Sequence, residues 1–520
     1  MIALTHLSNP DEGRRPPSGS WAGLPIGSVG IVCLLAATVA IVYIGMLADG
    51  FAADDFRNLA EARHQGLSYD KLVQPVSGVH WQPLLRAAWA VQFALFGDAP
   101  WGYHLVSLAL HILNLLALHR LALRLTRSGP AAVVAAAMFG LTMGHANTIL
   151  WITTQGQLLG TLFFFVSFER FLSYCATART RDLALSLVAH GLMLTSFTMG
   201  AELPLLYAAV IAARPSAEAW QSTRTQRALS IAGYLAVTGS FLALRSLHVT
   251  PSTLDALSLE QGGYAALVQS LRLLTHGLYV GFALPAAGTD ALVGSIRAGP
   301  WLVALTLSAV ALLFDYRRIT GTKFVPLLAV LMLTLVIGYS IPIPLRLYRG
   351  VEWFGRVDRY RYFPWGAAAI AFGLVFTHLR VFRKDARSAV PRFAAFGWLA
   401  LVLVANVYQI QVTQQSFRQS SREFAHATSR FVASTVDQVH RHGEIHIVNQ
   451  LFYRDSTWRA GWNVRPLYVC ALSCPEEVLQ SVKFINPASQ RVISGPVFIA
   501  EAGTGKLLPA QRTRSPRGAP

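Results

Sequence analysis

The sequence predicts an all-α polytopic membrane protein with a small C-terminal extracytoplasmic α/β domain. Composition, the length of the apolar runs and the placement of the basic residues predict it. The chain has 520 residues, 53% hydrophobic and 13% charged, with a mean hydropathy of +0.43. A soluble chain is roughly a quarter charged, and so few polar groups cannot cover an ordinary soluble core. Several runs reach the roughly 20 apolar residues needed to cross the hydrocarbon layer as helix. The net charge of +18 comes in short clusters between those runs. This is the positive-inside pattern of membrane loops rather than the one-faced basic patch that binds nucleic acid.

The elements follow in order. Residues 1–23 read as a cytoplasmic leader carrying Arg14 and Arg15, and Leu24 to Leu47 as an uncleaved signal anchor. Residues 48–100 then form an outer loop, with an amphipathic piece at Pro83 to Phe96 lying on the membrane surface. Spans follow at Gly102 to Leu125, Ala131 to Leu150, Leu158 to Tyr174, Leu183 to Met199, Leu203 to Ala213 and Ala228 to Leu247. The basic clusters at Arg120, Arg124 and Arg127, at Arg179 and Arg181, and at Arg214, Arg224 and Arg227 all fall on the side of Arg14 and Arg15.

Tyr264 to Leu284 carries Arg272 and His276. As a full crossing it would put Arg317, Arg318, Arg383 and Lys384 outside; as a re-entrant or interfacial segment it keeps them inside, and the second reading is adopted. Further spans at Trp301 to Leu313, Val325 to Ile341, Phe363 to Leu379 and Phe393 to Ile410 give about eleven crossings. The transmembrane domain is thus 24–411. Residues 412–510 read as the extracytoplasmic domain, with a helix at Ser416 to His442 and strands at Ile445 to Asn449, Pro466 to Leu472 and Val492 to Ala500. Residues 511–520 read as a disordered tail. The protein is expected in the plasma (inner) membrane, N-terminus cytoplasmic and C-terminal domain periplasmic or extracellular. Cys470 and Cys474 can pair there, while Cys33 and Cys175 read as packing residues.

Polar groups at span ends are costly and so mark candidate sites. Asp54-Asp55 lies just past the first apolar run. Two adjacent carboxylates repel, which raises one toward the range of a general base; the plainer reading is a solvated pair that caps a helix. His80 stands in Val79-His80-Trp81-Gln82-Pro83-Leu84. His104, His111 and Asn114 share one helix face, where inter-helix hydrogen bonding is the plainer reading. His145-Ala146-Asn147 ends the third span, and Glu202 lies between two others. Arg346, Arg349, Arg356, Arg359 and Arg361 fall in a loop read as outside, against the positive-inside bias. Such a cluster suits a lipid-linked phosphate, or else anionic headgroups or the acids Glu352 and Asp358.

Together these motifs resemble the GT-C superfamily of membrane glycosyltransferases, and most closely the branch of protein O-mannosyltransferases and the transmembrane, tetratricopeptide-repeat mannosyltransferases. Asp54-Asp55-Phe56 looks like the branch's acidic motif. His80 to Leu84 is similar to its aromatic-Arg-Pro-Leu motif, with Gln82 in place of arginine. Gly102-Tyr103-His104-Leu105-Val106 with His111 and Asn114 is similar to its second span, and His145-Ala146-Asn147 with Trp151 to its His-Pro-Ala-Asn segment. Glu202 resembles its Lys-Glu segment without the lysine, Gln157 stands where an acid is expected, and Asp358-Arg359-Tyr360 with Tyr362 and Pro364 resembles its Glu-Arg-Tyr signature. The likeness covers Leu24 to Leu379; the tail shows no tetratricopeptide periodicity.

The resemblance implies a GT-C-like fold and an inverting hexosyl- or pentosyltransferase. It would move a sugar from a polyprenyl-phosphate donor to a glycan, lipid or protein acceptor outside the cytoplasm. It implies Asp54 as base, Asp55 as its partner, Arg359 and Arg361 on the leaving phosphate, and His80, His104, His145 and Glu202 lining the cavity. No metal or other cofactor is expected, a divalent ion at the paired acids being the alternative. Membrane lipids are expected partners and nucleic acid is not. Two other classes stay open: a transporter of lipid-linked sugars, and a non-catalytic assembly protein on a GT-C-like fold.

Overall fold

The computed structural model describes residues 26–52, 54–75, 81–197, 200–213, 220–249, 330–331, 333–334, 362–378, 390–448, 453–454, 463–485, 496–501 and 506–510. The first run forms α1 (Ile26–Tyr43) and a 3-10 turn, Ile44–Ala48. The outer loop holds α2 (Asp54–Gln65), α3 (Tyr69–Leu72) and α4 (Pro83–Phe96). Pro83 opens α4, where a missing N–H costs nothing. Next come α5 (Pro100–Thr126), α6 (Gly129–Gly140), α7 (Ala146–Leu150), α8 (Gln155–Thr177), α9 (Thr180–Ser196), α10 (Leu203–Ala213) and α11 (Arg224–His248). Ser128 caps α6 and Thr223 forms a capping box with Gln226 on α11.

The described residues hold four helices long and apolar enough to cross a membrane, five if a bent pair counts as one. The chain is a mostly helical, multi-pass membrane protein. The bent pair is Gly129–Gly140 with Met143–Leu150, turned by 53°. The segment read as the third span, Ala131 to Leu150, is thus bent rather than one continuous helix. The segments Tyr264 to Leu284, Trp301 to Leu313 and most of Val325 to Ile341 lie outside the described residues.

Helix α12 (Tyr362–His378) packs on α6 so closely that a Cβ at Gly373 would run into the Ala131 carbonyl. Such contact between small residues is how helices associate where no water drives them together. Helix α13 (Val390–His442) is 53 residues without a break, roughly 80 Å long. Residue 411, where the composition turns polar, lies inside it. Its buried stripe runs from Leu399 through Phe417, Phe424 and Phe431 to Val439. It thus joins the bundle and the C-terminal unit in one rod.

The C-terminal unit holds β1 (Ile445–Val448), β2 (Tyr453–Arg454), β3 (Asn463–Val464), α14 (Pro466–Ser473), α15 (Glu476–Gln480), β4 (Val482–Ile485), β5 (Val497–Ala500) and β6 (Leu507–Pro509). Its sheet order is β4-β1-β5-β6, with β1 parallel to β4 and β5 and with β6 antiparallel to β5. Pro466 to Leu472, expected as a strand, is helix. Pro466 sits in its first turn, where the ring is preorganised for helix, and the apolar run is buried among α2 and α13. Cys470 and Cys474, one helical turn apart, are disulfide-bonded.

Two kinds of polar end bound the bundle. At one, Glu169 of α8 takes Arg124 at 2.9 Å and Arg120 and Arg170 at 3.3 Å each, and Arg170 pairs Asp182 of α9 at 3.1 Å. At the other end lie the Asp pair, the starts of α5, α8 and α12, and the end of α11.

Candidate active site

The two aspartates stand differently. Asp54, the first residue of α2, is exposed. Asp55 is 1% exposed. One oxygen of Asp55 accepts from the Ala52 N–H at 2.9 Å, closing the start of α2 in the manner of a capping box. The other accepts from the Thr153 N–H at 2.8 Å and its hydroxyl at 2.6 Å. Asn58, one turn on, donates to the same hydroxyl at 3.1 Å. Thr153 lies in the short turn between α7 and α8, so the Asp loop is tied to the head of α8. Burial pushes the Asp55 carboxyl up to about 7 against those hydrogen bonds, and the neighbouring Asp54 adds only the smallest part of the rise. The sequence pointed to charge repulsion as the cause; desolvation outweighs it.

Asp49, just before the pair, is also buried and meets Arg418 of α13 at 2.8 Å. Arg418 donates as well to the Gly45 carbonyl. Burial pushes Asp49 up to about 6 despite the arginine. His104, fully buried on α5, turns its ring to the Asp49–Gly50 backbone and its edge to Phe417 at 6.4 Å. Phe56 meets Phe424 of α13 edge-on at 5.0 Å. The mouth of the Asp loop is thus built by α2, α5, α8 and α13. Helix α2 is further braced along its length, since Glu61 pairs Arg57 at 3.1 Å and Arg86 of α4 at 2.8 Å.

His145 is set deeper. Its ring packs with Tyr362 at 4.6 Å, Phe139 at 4.7 Å and His111 at 6.0 Å. His111 bridges Tyr362 Oη at 2.8 Å and the Gly140 carbonyl at 3.1 Å. Asn114 donates to the Leu110 and Leu158 carbonyls. His111 and Asn114 therefore act as inter-helix ties, as the plainer reading has it. Glu202, at the head of α10, keeps one buried oxygen without a hydrogen bond, and burial pushes its carboxyl up. Trp81 stacks on His248 at the end of α11 with ring centroids 5.7 Å apart, which brings the outer loop and that helix end together.

His80, Arg359 and Arg361, and with them Arg346, Arg349 and Arg356, lie outside the described residues. Thr153, Asn58, Asp49 and Arg418 were missed from the sequence. Asp49 stood beside the Asp pair and its acid character was the available signal; the others declare themselves only through contacts distant in sequence. Among the described residues no three His, Cys, Asp or Glu side chains converge as a metal site would need.

The branch that the motifs point to is met again in comparison with known proteins. Over 187 residues the chain is 29% identical to the protein O-mannosyl-transferase Tmtc2 of Drosophila melanogaster. This chain is similar to a protein O-mannosyl-transferase. The match covers 32% of this chain and 20% of Tmtc2, so most of each protein lies outside it. No family model matches. Among solved structures, ArnT from Cupriavidus metallidurans, bound to undecaprenyl phosphate, superposes with a TM-score of 0.49 at 12% identity, over 89% of this chain and 87% of that one. The Archaeoglobus fulgidus oligosaccharyltransferase, tethered to an acceptor peptide, gives 0.46 at 10% identity, over 89% and 64%. At those scores no residue role is carried across.

Proposed function

We propose that the chain is an inverting membrane glycosyltransferase that moves a sugar from a polyprenyl-phosphate donor to an acceptor hydroxyl outside the cytoplasm. The observation that carries the reading is the division of labour within Asp54-Asp55. Asp55 is buried and fixed on both oxygens, while Asp54 is exposed one residue away on the same rigid turn. A base must be accessible and also held in place. The sequence match to Tmtc2 supports the reaction class, and the arginine-paired acids at the opposite end support that end as the cytoplasmic one.

In this mechanism Asp54 takes the proton of the acceptor hydroxyl. The acceptor oxygen bonds to the anomeric carbon as the bond from that carbon to the phosphate oxygen breaks, and the lipid phosphate leaves with the electron pair. Asp55 sets the position of Asp54. Arg359 and Arg361, from the sequence pattern, take the charge that develops on the departing phosphate. His80 and Glu202 belong to the surrounding cavity wall, His104 and His145, fully buried, pack behind it, and the chemistry needs no metal or other cofactor. The protein sits in the plasma membrane with its N-terminus cytoplasmic and 412–510 outside.

The test is the glycan profile, by mass spectrometry, of cells lacking the chain. One sugar goes missing and returns with the wild-type chain. An unchanged profile contradicts the reaction.

A further inference from the structure

Helix α14 ends with carbonyls that its own backbone cannot satisfy. The Ala471 and Leu472 carbonyls are met instead by α2, some 400 positions earlier in the chain. Arg63 Nη1 donates to Leu472 O at 2.6 Å, and His64 Nε2 lies 3.1 Å from Ala471 O. A guanidinium at the negative end of a helix is favoured by the helix dipole and by a charge-assisted bond. The turn that presents both carbonyls is the one closed by the Cys470–Cys474 disulfide. Arg57, two turns back along α2, lies over the Tyr468 ring of α14 at 5.8 Å.

We propose that this contact is a clamp by which the C-terminal unit positions the catalytic helix, with Arg63 as a positioning residue for Asp54. It rests on Asp54 being the base. Asp55 and Thr153 hold the first turn of α2 and the Arg63 clamp holds the last, roughly 12 Å along the axis. With the last turn released, α2 is held by its first turn and by Glu61 on Arg86, so it can tilt about the Asp end and turn the Asp54 carboxylate away from its productive direction, which is enough to slow the reaction. The disulfide keeps the receiving turn in shape, so the C-terminal unit serves the reaction without touching substrate.

The experiment uses the full chain in detergent micelles and in cells. Hydrogen exchange is followed in peptides from 54–65 and, as a reference, from 100–126. The sugar that depends on the chain is measured per folded molecule. Arg63→Ala is expected to raise exchange in 54–65 alone and lower product, each about tenfold, the size of one lost hydrogen bond from a charged group. Arg63→Lys restores most of both, because an ammonium still reaches a carbonyl, and the Cys470→Ser, Cys474→Ser double variant falls between. Unchanged exchange in Arg63→Ala overturns the clamp. Raised exchange with undiminished product overturns the positioning role. Product retained by Asp54→Asn overturns the catalytic reading and the positioning role with it, while the exchange arm, which needs no substrate, still reports whether the clamp exists.

Discussion

Glu169 at one end of the bundle and Asp55 at the other are buried acids held in opposite ways. At the arginine end Glu169 is shared among three guanidiniums, and Asp182 takes Arg170 and the Ser173 hydroxyl. Both of these acids are answered by guanidiniums, as a structural ion network requires. At the other end Asp55 is held by neutral donors alone, and its neighbour Asp54 is left at the surface. The lesson is that an acid held by neutral donors can fix a loop without occupying the charge of the residue beside it.

Substitutions at the two ends sharpen the contrast. The largest effect is expected from Asp54→Asn, which should lower product per folded molecule by about 100-fold or more and leave the unfolding temperature unchanged. Asp55→Asn should act on folding first. Its amide oxygen can keep Thr153, but its NH2 then faces the Ala52 N–H, at a cost of about 2–3 kcal/mol in stability, read by thermal unfolding in detergent. Glu169→Gln should cost about 2 kcal/mol, less than a fully buried pair because Arg120 and Arg170 are partly solvated. Product per folded molecule should stay at the wild-type level in that variant, and a loss there would erase the distinction between the ends.

A further expectation is a pH slope. Folded Asp55 keeps its proton up to about 7, where the unfolded carboxyl, at its ordinary 3.8, has lost it. Folding therefore binds a proton between those values, so the stability contributed by Asp55 is fully present below about pH 4, falls as pH rises to about 7 and then levels. Asp49 adds the same sign up to about 6, and Asp49→Asn should flatten the lower half of the slope.

Much of this was legible in the sequence. Pro83 to Phe96 and Leu203 to Ala213 have the bounds that their composition gave them, because apolar periodicity and a Pro start are local signals. The break in the third span was not, since Gly140 to Met143 carries no proline and its bend depends on packing. Pro466 to Leu472 read as a strand because its apolar run is short, and burial against α2 and α13 decided for helix. Asp54-Asp55 could be found as a pair, and the resemblance cast Asp54 as base and Asp55 as its partner, but the residue pattern alone did not show which of the two is buried. What separates them is Thr153, 98 residues further on, a contact that no local pattern announces.

The most direct measurement is the amount of the chain-dependent sugar in cells lacking the chain and carrying Asp54→Asn at wild-type protein level. The account predicts that the sugar is missing, as in cells without the chain. A sugar restored to the wild-type amount would contradict it.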